Sequence, residues 1–193
     1  MLGLIYLSLA GVVWRREWAL DLYRGPEISM QFLLAHFAHV DVSHALGNLL
    51  PAAVCLMVVV RLSHLILIVL LSAFALSAAL SLGEFEYRFY AGLSGVVCAM
   101  WMYMGVERAR QDRYAGGWVI GILLAKLVFD TSIEREVADA AIAVASHWLG
   151  AAIGGLVSLV LCLSKKPHEL VSLEIASVRL GGRYERIFCG GDR

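Results

Sequence analysis

Charge is scarce in this sequence. Only 17% of its 193 residues are Asp, Glu, Lys or Arg, and the two signs cancel to a net charge of +0. A soluble domain is typically about a quarter charged, so most of the chain lacks a water-facing surface. Without a basic excess there is no basis for a nucleic-acid partner. Proline is equally rare, at three residues, and no low-complexity tract is present, which leaves no linker to a second folded domain. The four cysteines (Cys55, Cys98, Cys162 and Cys189) are widely spaced and form no Cys-x-x-Cys. That pattern implies neither a disulfide framework nor a zinc cluster, and small buried hydrophobes are the remaining reading. The N-terminus has no basic region and no Ala-x-Ala site, so it does not read as a cleaved signal peptide.

Apolar residues are abundant instead, at 60% of the chain with a mean hydropathy of +0.76. The pattern predicts an all-α, polytopic membrane protein with six transmembrane helices. The spans expected are residues 1–14 (short for a crossing), 30–60, 65–82, 90–106, 116–129 and 140–163. Residues 15–29 read as an interfacial loop carrying Trp18 and Tyr23 among arginines. Residues 107–113 and 131–139 read as charged loops. The domain is thus 1–163, followed by a polar tail at 164–193. Pro51 is expected to disturb the second span, because its ring meets the carbonyl of Gly47. Arg108, Arg110, Arg113, Lys165 and Lys166 cluster beside span ends that share one side. The basic residues therefore favour cytoplasmic N- and C-termini.

One stretch asks for more than a membrane helix needs. In Gly92-Leu93-Ser94-Gly95 a serine stands between two glycines at the head of the fourth span. Alone, such a cluster is more often a helix-packing device than a chemical group. The predicted topology, however, brings Ser94, His147 of the sixth span, and His44 and Asn48 of the second span to one depth near the outer side. Polar groups at that depth must face protein or a water-filled cavity. A serine becomes nucleophilic when a base takes its proton, and a histidine on a neighbouring helix can do so and then protonate a leaving amine. His44 and Asn48, four residues apart, project from one helix face and can donate hydrogen bonds to an oxyanion together with the Ser94 amide. No acidic residue is expected beside His147, since Asp139 is about two turns away on its own helix. The expected site is a Ser-His dyad. Lys126 and Asp130, at i and i+4, read as a structural ion pair outside the catalytic machinery.

These residues resemble the rhomboid intramembrane serine proteases. The matching motifs are His39-x4-His44-x3-Asn48, Gly92-Leu93-Ser94-Gly95 and His147-x2-Gly150-x3-Gly154, in the order of the six-helix core and over residues 29–163. The resemblance implies Ser94 as nucleophile, His147 as general base and acid, and an oxyanion hole of His44, Asn48 and the Ser94 amide. It implies that His39 supports the site's water or the loop above it. It also implies that Gly150 and Gly154 let the sixth helix pack closely on the fourth. Phe89-Tyr90-Ala91 ahead of the serine motif, and Lys126-Leu127-Val128-Phe129-Asp130, are similar to the bacterial rhombosortase branch, which is associated with removing C-terminal Gly-Gly sorting tails from exported proteins.

The function this implies is an intramembrane serine endopeptidase of a bacterial inner membrane. It would take membrane-anchored protein substrates in the lipid bilayer and need no cofactor and no metal. The sequence sets no oligomeric state. One departure stands out. Many rhomboids place an aromatic residue or histidine four residues after the serine, packed on the catalytic imidazole, and this chain has Cys98. Positioning of His147 then falls to another group, with Trp148 and Trp101 as candidates. Two alternatives remain: a non-catalytic rhomboid-like protein that binds client transmembrane segments, and a metal protein or transporter built on His36, His39 and Asp41.

Overall fold

A computed structural model describes residues 2–13, 15–24, 30–58, 62–83, 89–134 and 141–163. Arg61, Arg88, Arg135, Lys165, Lys166, His168, Cys189, both Gly-Gly pairs and the tail 164–193 lie outside the described residues. The elements in order are α1 (Leu2–Val13), α2 (Arg15–Trp18), β1 (Leu20–Asp21), a 3-10 turn (Leu22–Arg24), α3 (Gln31–Leu34) and α4 (Val42–Val58). They continue with α5 (Leu62–Leu82), β2 (Phe89–Tyr90), α6 (Ser94–Ala109), α7 (Arg113–Glu134) and α8 (Ala141–Leu163). The chain divides into a compact unit, Met1–Ser158, and a second unit, Leu159–Arg193. The end of α8 is the described part of the second.

Among the described residues, three helices are long and apolar enough to cross a bilayer: Leu62–Leu82, Arg113–Ser132 within α7, and Val144–Leu163 within α8. At a rise of 1.5 Å per residue a crossing takes about 20 residues. Helices α1, α4 and α6 have 12, 17 and 16 residues and fall short of that length. Helix α5 is apolar on all sides, yet its faces differ. Leu65, Ile68, Ser72, Leu76 and Leu80 are buried, while Ile66, Leu67, Leu70, Leu71 and Phe74 are exposed. A helix hydrophobic all round with one exposed face is what lipid contact requires.

The expected second span is two helices, not one. His36, His39 and Asp41 interrupt its apolar pattern, and there the chain leaves the helix after Leu34 and restarts at Val42. The restart has a local cause. Asp41 Oδ1 accepts from the His44 amide at 2.8 Å and from the Ser43 hydroxyl at 2.6 Å, an N-cap that satisfies an otherwise unpaired donor of the first turn. In the break, His36 and His39 are fully buried. The His36 Nε2–H donates to the Ala73 carbonyl at 2.9 Å and to Ser77 Oγ at 3.1 Å, and the Ser77 hydroxyl donates to the Phe32 carbonyl at 2.8 Å. This network fastens the break to α5. Helix α4 then runs through Pro51 to Val58.

Asp41 lies exposed ahead of α4, and its carboxyl is held below the usual carboxylate range, first by the Ser43 hydroxyl and then by the His44 amide. A depressed folded-state value means that the cap stabilises the protein above the unfolded value of about 3.9. The contribution is lost as pH falls through the folded value. Asp41→Ala is therefore expected to lower the melting temperature at pH 7 and to leave it unchanged well below pH 3. A thermal-melt series against pH checks this.

The other expectations differ at their edges. The fourth helix starts at Ser94, four residues later than the apolar run suggests, because Phe89 and Tyr90 pair antiparallel with Asp21 and Leu20. The loop after it shrinks to a turn in which Asp112 Oδ1 accepts from the amides of Tyr114 and Ala115 at 2.9 and 3.2 Å, capping α7. Thr131–Glu134, expected in a loop, completes α7.

Candidate active site

Ser94 is the first residue of α6, where backbone N–H groups have no intrahelical acceptor. The turn before it is unusual. Gly92 has φ +143°, a conformation that side chains rarely permit. Its amide donates to the Ala35 carbonyl at 2.9 Å, and its carbonyl accepts from the Tyr90 hydroxyl at 3.0 Å. The Tyr90 side chain also hydrogen bonds to Ser146 of α8. A Cβ placed on Gly92 would stand 3.5 Å from His44 Cε1, 3.8 Å from His44 Nε2 and 3.9 Å from Ser94 Oγ. The His44 imidazole and the Ser94 hydroxyl thus border one small space, and the absence of a side chain at residue 92 keeps it open.

The contact between α6 and α8 is made by main chain. A Cβ on Gly95 would lie 2.8 Å from the Ser146 carbonyl oxygen, one on Gly150 would overlap the Gly95 carbonyl, and one on Gly154 would overlap the Ala99 backbone. From the Gly95–Gly150 contact to the Ala99–Gly154 contact both numbers rise by four, so the helices run parallel. His147 follows Ser146 and Ser94 precedes Gly95, so the two side chains leave the same level of the seam. His147 is 8% exposed, and its Nε2 is buried without a hydrogen-bond partner.

His44 and Asn48 lie one turn apart on α4. One amide hydrogen of the Asn48 side chain goes to the His44 carbonyl at 3.1 Å, and the amide has a second to give. The His39 ring stands edge-on to the His44 ring at 5.2 Å, its Nδ1 2.7 Å from the Phe37 carbonyl and its Nε2 buried and unpartnered. Beside Ser94 is a cavity of about 220 Å³ lined by Asn48 and Pro51 of α4, Val97 and Cys98 of α6, and Leu123 and Lys126 of α7, among others.

Two residues with functional geometry were not expected. The first is Asp130. Its Oδ2 lies 2.7 Å from His147 Nδ1 and also binds Lys126 Nζ, so the expectation that no acidic residue stands beside His147 is corrected. The signal was present: Asp130 sits near the outer end of its span, the depth already assigned to His147. The second is Tyr90, whose position depends on the pairing with Leu20 and could not be read from local pattern. Neither of the indoles proposed to hold His147 donates its N–H to the imidazole. Trp101 Nε1–H donates to the Pro51 carbonyl at 3.2 Å and Trp148 Nε1–H to Thr131 Oγ1 at 3.1 Å. Cys98 packs with Leu123, Leu127 and Ala151. For the metal alternative, Asp41 caps α4, and no group of three metal-ligating side chains gathers among the described residues.

Apolar helices long enough to cross a bilayer define the fold as that of a multi-pass helical membrane protein. The family model described as "Rhomboid domain" matches residues 26–164, and the chain belongs to the rhomboid family. That family consists in general of serine proteases acting on membrane proteins within the bilayer. No curated protein matches the chain.

Proposed function

We propose that this protein is an intramembrane serine endopeptidase with Ser94 as nucleophile and His147 as general base and acid. The observation that carries the reading is the main-chain seam at Gly95, Ser146 and Gly150. It brings Ser94 to the level of a histidine whose Nε2 is buried and free to accept. In the reaction, His147 Nε2 takes the Ser94 proton as Oγ attacks the scissile carbonyl. The oxyanion is met by the Ser94 amide, the free Asn48 amide hydrogen and His44, all of them fixed before charge develops. His147 then protonates the departing amine, and an acyl-enzyme on Ser94 remains for water to hydrolyse. His39 supports His44 from behind.

The finer assignment is that α1, α4 and α6 also span the membrane, for six spans in all. The short lengths of α4 and α6 fit helices whose outer ends are replaced by the polar site. Both termini would be cytoplasmic, in a bacterial inner membrane. The substrate would be a membrane-anchored segment that unwinds beside Ser94 and lays a side chain in the cavity between α4, α6 and α7. A C-terminal Gly-Gly sorting tail suits this site, because glycine lowers the cost of leaving the helix.

The test is co-expression with an exported protein bearing a Gly-Gly tail and an apolar helix. Shortening of that protein by the wild type, and not by Ser94→Ala, is the expected result. An intact substrate that copurifies with well-folded wild-type protein would favour the client-binding alternative.

A further inference from the structure

The ion pair Lys126–Asp130 touches His147 and has no part in the reaction as written above. A carboxylate only accepts hydrogen bonds. At 2.7 Å from Asp130 Oδ2, His147 Nδ1 must therefore carry its proton, which leaves the lone pair on Nε2. Lys126 Nζ lies 3.5 Å from the same Nδ1 and could in principle donate to it. The carboxylate contact is the shorter, and the ammonium is already bound to the same carboxylate oxygen. Asp130 is the more enclosed of the pair, with its side chain 21% exposed against 47% for Lys126. A second strut runs alongside, from Trp148, next to His147, to Thr131, next to Asp130.

From this geometry we infer that Asp130 is a positioning residue. It fixes His147 in the Nδ1–H tautomer, and Lys126 holds the carboxylate in place, so that Ser94, His147 and Asp130 work as a triad. The inference rests on the serine-protease reading and deepens it. It also accounts for Cys98: where no aromatic ring supports the imidazole from α6, a carboxylate on α7 holds it by hydrogen bond. During the reaction the imidazolium that forms lies against the Asp130 carboxylate, while in the resting state Lys126 balances that charge.

Two measurements on the full chain in lipid nanodiscs test the inference. The first is the rate at which a fluorophosphonate probe labels Ser94. Asp130→Asn keeps the shape but loses the charge and can present an N–H to Nδ1. It is expected to slow labelling about 10²-fold, less than the ~10⁴-fold seen for a buried triad aspartate, because Asp130 is partly exposed. The second is the nitrogen-15 spectrum of His147, which a merely structural tie would not govern. Wild type is expected to show Nδ1 protonated and Nε2 bare, and Asp130→Asn to lose that preference. Wild-type labelling rates for Asp130→Asn, with Ser94→Ala unlabelled, would overturn the role of Asp130 and leave the protease reading intact. A protonated Nε2 in the wild type would do the same even if the variant failed to fold. Absence of labelling in folded wild type would count against the serine chemistry itself.

Discussion

Replacing Ser94 by alanine is expected to abolish cleavage of a co-expressed substrate while leaving the protein inserted and folded. The two halves of this expectation have different physical origins. Removing the nucleophile of a serine protease costs on the order of 10⁶ in turnover, because no other group at the site can form the acyl-enzyme. The oxyanion donors and the bound geometry would remain, so a trace above the uncatalysed rate would persist, below practical detection. Stability, in contrast, should change by less than about 1 kcal/mol. Ser94 is partly exposed, it opens a helix without capping it, and the Gly92 turn is anchored by Ala35 and Tyr90 independently of it. Unchanged melting behaviour with lost cleavage and lost probe labelling is the signature. Cleavage persisting in Ser94→Ala would end the protease assignment.

The second large effect should come from a single methyl group. Gly150→Ala puts a Cβ into the Gly95 carbonyl. The obstacle is backbone on both sides, so no rotamer change relieves it and the helices must part. Overpacking of this kind costs roughly 1–3 kcal/mol. Here the displacement falls at the level of Ser94 and His147. A misplacement of about 1 Å between reacting groups lowers rates on the order of 10²-fold. A lowered melting temperature with a labelling loss of that size is expected. Gly121→Ala supplies the control: nothing lies within 4 Å of its Cβ position, so it should be neutral or slightly stabilising. Equal behaviour of the two variants would show that the seam does not set the geometry.

The parts legible in the sequence are those in which chemistry is local. Ser94 announced itself by its flanking glycines, and Gly150 and Gly154 by their spacing after His147. The agreement in depth expected among Ser94, His147, His44 and Asn48 rested only on the alternation of helices. What stayed hidden depends on contacts between distant parts of the chain. Hydropathy does not by itself show the break between α3 and α4, because His36, His39 and Asp41 read equally well as the polar half of one continuous helix. The break becomes visible only through the Asp41 cap and the anchoring of His36 on Ala73 and Ser77. The start of α6 is set by the pairing of Tyr90 with Leu20, which no window around residue 90 contains. Asp130 was misread for a different reason. Its i, i+4 relation to Lys126 explained it too readily as a self-contained ion pair, although its depth matched that of His147.

The seam between α6 and α8 has a mechanical consequence. Side-chain packing is compliant, since rotamers shift to absorb a strain, but a contact of backbone on backbone works as a fixed ruler. The spacing of the two helices at Gly95–Gly150 and Ala99–Gly154 is set by the radius of the main chain itself. A thinner or thicker bilayer tilts helices to match their apolar length, and it should tilt α6 and α8 together as one rigid blade. The cavity between α4, α6 and α7 has walls of Pro51, Val97, Trp101 and Leu123 and carries no such ruler. Lipid thickness should therefore act on substrate admission, read as KM, and leave the chemical step, read as the single-turnover rate, nearly constant.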